Sequence, residues 1–466
     1  MTRDPGEEHA SDGIREAVAG AEPRSLRTYT PTRAVLARSA GIFHWTPEGR
    51  RLYDFTSGVL VANLGHNPRS WLTRWQERMQ WPVPVDTCVP DLDAYVPAVT
   101  MTSYNSVTPV EAEANRLLLQ LLRQTEMGRR LESVFWAASG SEAVHKALHA
   151  ALSRDPSRQG ILASRHGFHG KKGVAWAASG SEADAERDPR VRFFDFPREE
   201  CRDLSMRGTS FDVNRYDEQW ESLLRDHGDT FAAVITEPYL GGGGSYHPPA
   251  EYLQALQSFC RRHDILFILD EVQSNFGRTG EMFAFEKYGL EPDIVVLGKG
   301  LGNGVPVAAA VGPRAVFDLP GYGEMSDTWS ANPLSCAAVV ATLEEFAARD
   351  VLGPMRESST VIESGLVALK QFPFVAHVRG EEGGMVWGVE TADWAGVPAA
   401  DWANRLVLEA YRGAGGPADD GVHLLGPLSK KVVRISPPLV ITPEQARESL
   451  AVLHAACDRL AAEVPR

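Results

Sequence analysis

The chain has 466 residues, 43% of them hydrophobic, with 47 Lys+Arg against 61 Asp+Glu and a formal net charge of −14. That length supports a large core and more than one domain, and the acidic balance argues against nucleic acid or an anionic membrane as partner. Cys88, Cys201, Cys260, Cys336 and Cys457 are widely spread with no metal-ligand spacing, so reduced thiols, a cytoplasmic location and no metal site are expected.

Met1 to Glu22 is polar and has no apolar h-region, so it is not a signal peptide, and residues 1–25 are expected to be a disordered arm. Ile42–Trp45 and Arg51–Phe55 read as strands around the turn Pro47-Glu-Gly49. Ser70–Gln80 reads as a helix. Trp81–Tyr104 is a long loop of prolines and aromatics with Asp86, Asp91 and Asp93, the kind of segment that walls a site. Pro109–Thr125 is an amphipathic helix with Leu118, Leu121 and Leu122 on one face.

From there strands and helices alternate. Leu131–Trp136, Ile161–Ser164, Val191–Phe194, Phe231–Glu237, Ile265–Asp270, Ile294–Leu297 and Val305–Val311 read as strands, and Pro249–His263 and Leu334–Ala348 as helices. Short, fully apolar strands between helices predict an α/β fold with a mostly parallel sheet covered on both faces. Phe374–Val378, Met385–Glu390 and Val432–Ser436 are further strands, interleaved with helices Ala400–Arg412 and Pro443–Ala462. They predict a second, smaller α+β domain shared with the N-terminal segment. The expected division is 26–68, 69–335 and 336–466. No apolar run approaches the ~20 residues of a membrane span.

Trp-Ala-Ala-Ser-Gly-Ser-Glu-Ala occurs twice, at Trp136–Ala143 and Trp176–Ala183. The first copy follows an apolar strand and opens a helix to about Leu152. Its backbone N–H groups can hold a phosphate, and it also reads as a plain capping box. The second runs into a charged stretch and is expected to be a surface loop.

Ligands of open α/β sheets bind at the carboxyl ends of strands. Ser139, Phe168, Glu237, Asp270 and Lys299 all sit there. Lys299 lies between glycines at the end of a buried strand, where an amine loses solvation and becomes nucleophilic. Asp270 ends the most apolar strand, where a carboxylate needs a partner. Each has a bland reading alone: a surface lysine, a turn-capping Asp, an N-cap Ser. Together a phosphate loop, a stacking aromatic, an acid for a cationic ring nitrogen and a Schiff-base lysine are the parts of a pyridoxal 5′-phosphate (PLP) site.

Leu269-Asp-Glu-Val-Gln-Ser-Asn-Phe-Gly-Arg-Thr-Gly280, with Gly298-Lys-Gly300 downstream, resembles the class III, fold-type I PLP-dependent aminotransferases, the group of ornithine, 4-aminobutyrate and acetylornithine aminotransferases. The resemblance runs from about Tyr29 to the C-terminus. It implies a large domain on a mostly parallel seven-stranded sheet and a smaller α+β domain. It implies that Lys299 forms the Schiff base and shuttles a proton, that Asp270 holds the pyridine nitrogen, and that Gln273 bonds the ring oxygen. Val272 and Phe168 would pack on the two ring faces. Ser139, Gly140 and Ser141 would hold the phosphate, and His169 and Glu237 would complete the cofactor shell. Thr328 matches a phosphate ligand supplied to the neighbouring subunit, which implies a homodimer. Arg434 matches a carboxylate-binding arginine, and Lys171 could contact a distal anion. Gly242 stands where glutamate-using relatives often carry a Glu that pairs with that arginine.

The expected activity is transamination between an amino donor and an aldehyde or keto acceptor, with an amino sugar or other secondary metabolite as the acceptor suggested by the acidic loop. Cofactor motifs alone leave open an epimerase, decarboxylase or dehydratase, and a non-catalytic sensor or scaffold.

Overall fold

The computed structural model describes residues 8–23, 25, 28–81, 98–104, 106–184, 188–413 and 420–463. Strands β1 (Arg38–Ala40), β2 (Phe43–Trp45) and β3 (Arg51–Asp54) open the chain. They are followed by β4 (Ser133–Ala137), β5 (Gly160–Ser164), β6 (Val191–Phe194), β7 (Phe231–Thr236), β8 (Leu266–Asp270), β9 (Ile294–Leu297) and β10 (Ala308–Gly312). β11 (Val375–Gly380), β12 (Trp387–Thr391), β13 (Gly421–His423) and β14 (Val432–Ile435) come last.

A seven-stranded sheet runs in the order β4-β10-β9-β8-β7-β5-β6. Neighbours pair in parallel from β9 to β6, and β10 alone runs against its neighbours β4 and β9. Continuous apolar strands such as Leu266-Phe-Ile-Leu can sit only inside such a sheet, because both faces must be covered. Alternate residues do go to opposite layers: Phe267 and Leu269 pack with Val295, Leu297 and Leu162, whereas Leu266 and Ile268 pack with Ile294, Val296 and Ile161. Each such side chain is essentially buried and contributes about 1.5–3 kcal/mol.

A second sheet, β1-β2-β3-β13, joins the two ends of the chain, and β11-β12-β14 form a third. Ile42, Tyr53, Phe55 and Leu64 share one core with Phe374, Trp402, Val433 and Leu453.

Two expectations need correction. Residues 9–21 are not a disordered arm: His9–Ala21 is a helix. Its anchor is polar. Ser11 is fully buried, and its N–H and hydroxyl both donate to the Glu48 carboxylate at 2.8 Å. The second repeat is not wholly a surface loop, because Gly173–Ala177 forms a short helix and Ala177, Ala178 and Ser179 are buried. The Ser179 hydroxyl accepts from the His169 N–H at 2.8 Å. Val305–Val311 is a strand only from Ala308 onward. Most of the Trp81–Tyr104 loop, including Asp86, Cys88, Asp91 and Asp93, lies outside the described residues.

Candidate active site

The ends of β4, β5, β7, β8 and β9 face one cavity of about 350 Å³. Ser139, Gly140, Ser141, Phe168, His169, Glu237, Asp270, Val272, Gln273 and Lys299 all line it. Glycine makes this approach possible at two points. A Cβ on Gly140 would press on Val272 Cγ1 at 3.2 Å, and one on Gly170 would overlap Ser141 Oγ at 2.4 Å.

Lys299 follows Gly298 and begins a 3₁₀ turn to Gly302, with φ 48°. A left-handed backbone at a non-glycine residue costs about 1–3 kcal/mol and persists only where its surroundings hold it. Here Leu301 N–H donates to Gly298 O at 3.1 Å, and Asn303 Oδ1 accepts from Leu64 N–H at 3.0 Å. Burial lowers the Lys299 amine to about 8, Asp270 and Glu237 oppose that shift, and Arg434 adds to it. The amine is therefore partly neutral near pH 8.

Asp270 is the last residue of β8 and is 4% exposed. Its Oδ1 accepts from Val272 N–H at 3.1 Å, and its Oδ2 lies 2.8 Å from His169 Nδ1. His169 is buried and its Nε2 has no protein partner. Behind this pair, Glu237 accepts from Phe168 N–H at 2.8 Å, Gly241 N–H at 3.2 Å and Gln273 Nε2 at 3.1 Å. Burial pushes Glu237 up to about 7; His169 opposes the shift and Asp270 adds to it.

At the opposite end, Ser139 caps helix Gly140–Leu152. Its hydroxyl accepts from Glu142 N–H, and Glu142 Oε2 accepts from Ser139 N–H at 3.1 Å. The capping box thus consumes the third N–H of the helix. Gly140 and Ser141, at the first two positions, have no intrahelical acceptor for theirs, so their N–H groups can serve an anion at the positive end of the dipole.

Arg434 sits on β14 opposite Gly388 of β12 and is 4% exposed. Nη1 donates to Gln273 Oε1 at 3.1 Å, and Nε has no partner. Burial lowers its pKa, with Tyr239 and Glu237 opposing. Among the described residues no carboxylate lies within ion-pair distance of it. Arg434 thus touches the cavity-lining Gln273 and is not itself among the residues that line the cavity. A Cβ on Gly242 would meet Phe168 Cβ at 3.1 Å.

Thr328 and Lys171 are outside the cavity and exposed. The turn carrying Thr328 is pinned by Lys146, whose Nζ reaches Asp327 Oδ2 at 2.7 Å and Ser330 Oγ at 2.6 Å.

The comparisons with known proteins agree with this geometry. A family profile described as Aminotransferase class-III matches residues 80–457. The chain belongs to the class-III aminotransferases. It is 30% identical to an acetylornithine aminotransferase from Agrobacterium fabrum over 91% of this chain and 94% of that protein. An (S)-enantioselective omega-transaminase from Thermomicrobium roseum superposes with a TM-score of 0.79 at 26% identity, covering 97% of this chain and 99% of that one. An amine transaminase from an uncultivated Pseudomonas species, in its PLP-bound form, does so with 0.75 at 26% identity, covering 98% and 100%.

This class-III aminotransferase is a PLP-dependent enzyme that performs transamination. That decides among the readings left open by the motifs: epimerase, decarboxylase, dehydratase and scaffold give way to amino-group transfer. Its cavity fits the cofactor. Free N–H groups stand at one end, an acid at the other, an amine between them, and Val272 and Phe168 supply apolar surfaces. Val61, Val305, Pro306 and Val307 also line the cavity and were not anticipated. Being aliphatic, they carry no chemical signal in the sequence. Val305–Val307 read as the start of a strand, which they precede.

Proposed function

We propose that this class-III aminotransferase works on a donor–acceptor pair of which at least one member carries a carboxylate held by Arg434. The observation that carries this reading is a buried guanidinium with an unpartnered Nε and a neutral amide as partner. Such a group is costly unless an anion completes it, and a carboxylate does so through two parallel hydrogen bonds. With Gly242 in place of an acidic residue, no side chain of that loop competes for Arg434. Gln273 is the group that must yield or share.

Bound in the cavity, pyridoxal phosphate supplies an electron sink for the electron pair left when the substrate's Cα loses a proton. The remaining work belongs to the chain. Lys299 Nζ, driven toward neutrality by burial, would take that proton and return it two atoms away, across the transferred nitrogen. Asp270, held by His169 Nδ1 and by Val272 N–H, keeps negative charge where a ring nitrogen must stay protonated. Gly140 and Ser141 would hold the phosphate through their N–H groups. Gln273 would bond the ring oxygen, Glu237 fixes the Phe168 turn, and Phe168 and Val272 would cover the ring faces.

The enzyme acts as a homodimer in this reading. Thr328 is exposed and does not line its own cavity, and the same stretch carries Tyr322, which is fully exposed, and Trp329, which is 60% exposed. A cytoplasmic location is supported by the free, buried thiols of Cys201, Cys260, Cys336 and Cys457. The division at 26–68, 69–335 and 336–466 is supported by the core shared between the N- and C-terminal segments. Asp86, Asp91 and Asp93, which suggested an amino-sugar acceptor, lie outside the described residues.

The test is a panel of amino donors, with and without a carboxylate, followed by visible absorbance and by keto-product formation. Carboxylate donors should turn over faster. Arg434→Ala should lower their kcat/KM about 100-fold, the loss of charged hydrogen bonds, and leave carboxylate-free amines within a few-fold. An equal loss for both classes would overturn the reading.

A further inference from the structure

His44 on β2, Asp54 at the end of β3 and His66 in the bend before helix Arg69–Met79 each present one ligating atom, all within 4.8 Å of one another. We propose that these side chains form a divalent-cation site of the zinc class, using His44 Nε2, His66 Nε2 and Asp54 Oδ2, with water completing the shell where His66 meets solvent.

The two carboxylate oxygens have different tasks. Oδ1 is saturated, accepting from Thr56 N–H and Thr56 Oγ1, both at 2.7 Å, and from Ser57 N–H at 3.1 Å. Oδ2 faces only the imidazoles, 2.7 Å from His66 Nε2 and 3.5 Å from His44 Nε2. His44 is 3% exposed, and its Nε2 has no hydrogen-bond partner. Its Nδ1 lies 2.6 Å from Ser39 Oγ. If Nδ1–H donates to that hydroxyl, Nε2 is left with a lone pair aimed at a carboxylate oxygen. Two electron pairs, on the buried His44 and Asp54, then face each other 3.5 Å apart. A cation resolves this, and the Ser39 contact is the outer hydrogen bond that ligating histidines make to fix ring and tautomer.

The spacing suits an ion. Ligand bonds of about 2.0–2.1 Å in a tetrahedron place neighbouring donors about 3.3–3.4 Å apart. The His44–Asp54 separation of 3.5 Å is close to this, and His66, at 2.7 Å, would retreat by about 0.6 Å. Imidazole with carboxylate is a donor set that suits zinc and its neighbours better than calcium or magnesium. The backbone holds the ligands in place. β2 pairs with β3, and Gly41 and His66 exchange both backbone hydrogen bonds, at 2.8 and 2.9 Å. The segment between Asp54 and His66 supplies Val61 to the cofactor cavity and Leu64 N–H to Asn303, so a bound ion would brace that wall. The ligands come from separate segments at spacings that match no metal motif, which is why the sequence did not show them.

The test uses the full-length holoenzyme, stripped with a chelator and titrated with Co²⁺, then with Zn²⁺ as competitor. One equivalent of Co²⁺ should give visible ligand-field absorption that Zn²⁺ removes, and the melting temperature should rise with metal concentration. His44→Val should lose that equivalent. Ser39→Ala, on an edge strand, should bind about 10–100-fold more weakly, and decides the matter if His44→Val does not fold. The site is overturned if stripped wild-type protein takes up no stoichiometric Co²⁺, if His44→Val retains the equivalent, or if Ser39→Ala binds with unchanged affinity. Loss of this site would leave the Arg434 reading untouched.

Discussion

At the scale of the residue, Lys299 bears two costs, a left-handed φ and an amine stripped of water, and both serve its reactivity. Lys299→Ala should abolish turnover while circular dichroism and melting stay near wild type, because the change removes a poorly solvated amine and no packing. Retained turnover would remove Lys299 from its role. The pH dependence has a definite sign. The native amine loses its proton near 8 and an unfolded lysine near 10.4, so the nucleophile is lost as pH falls through 8. Cofactor uptake by the stripped protein should slow about tenfold per pH unit below that point; a flat rate from pH 6 to 8 would refute it. Stability should rise between about 8 and 10.4, where the unfolded state binds more protons. Asp270→Asn should cost several orders of magnitude in rate, measured with cofactor bound to the variant, and a near-normal rate would free Asp270 from its task. Lys299 and Asp270 were legible in the sequence because a charged group at the end of a buried strand has few purposes. The state of Arg434 was not, since its partner Gln273 lies far away in the chain.

At the scale of the element, the turn after β8 is held by buried polar groups as well as by the packing of Phe276. Glu271 is fully buried and accepts from Ala284 and Phe285 N–H at 2.7 and 2.8 Å, the first turn of helix Ala284–Tyr288. Arg278 is equally buried, with Asn63 Oδ1 at 2.9 and 2.6 Å and Pro437 O at 2.5 Å as acceptors. Glu271→Ala should cost about 2–4 kcal/mol in urea unfolding, since it orphans two buried donors; a loss below about 1 kcal/mol would mean that water satisfies them. The strands of the large sheet were readable because composition and length agree with burial. Helix Leu352–Ala368 was missed because Gly353 and Pro354 break its start and serines blur its apolar face. β13 has three residues and is a strand only by virtue of β3. The helix at His9–Ala21 docks through Ser11 and Glu48, a polar contact that hydrophobic periodicity does not register.

At the scale of the whole molecule, the proposed homodimer would cover the stretch that carries the exposed Tyr322 and Trp329. Tyr322→Asp combined with Trp329→Asp should shift the protein toward monomer in sedimentation and reduce cofactor retention. Thr328→Ala should keep the dimer but bind the cofactor several-fold more weakly. A wild-type protein that is active as a monomer would overturn both expectations. The layered α/β architecture followed from the strand pattern. Which chain end supplies which strand of the smaller sheets did not, because long-range pairing leaves no local trace.

That long-range pairing governs how the protein can be made. β3 finds its parallel neighbour β13 only when Gly421–His423 has been synthesised. At about 5–20 residues per second, the N-terminal strands then wait roughly 20–70 s with one edge open. An open edge is a template for intermolecular pairing, and the apolar faces of Ile42, Tyr53 and Phe55 stay uncovered for the same interval. The nascent chain should therefore gain more from a holding chaperone than its finished fold would suggest. Fragments ending after β10 should collect in inclusion bodies even though the seven-stranded sheet is complete.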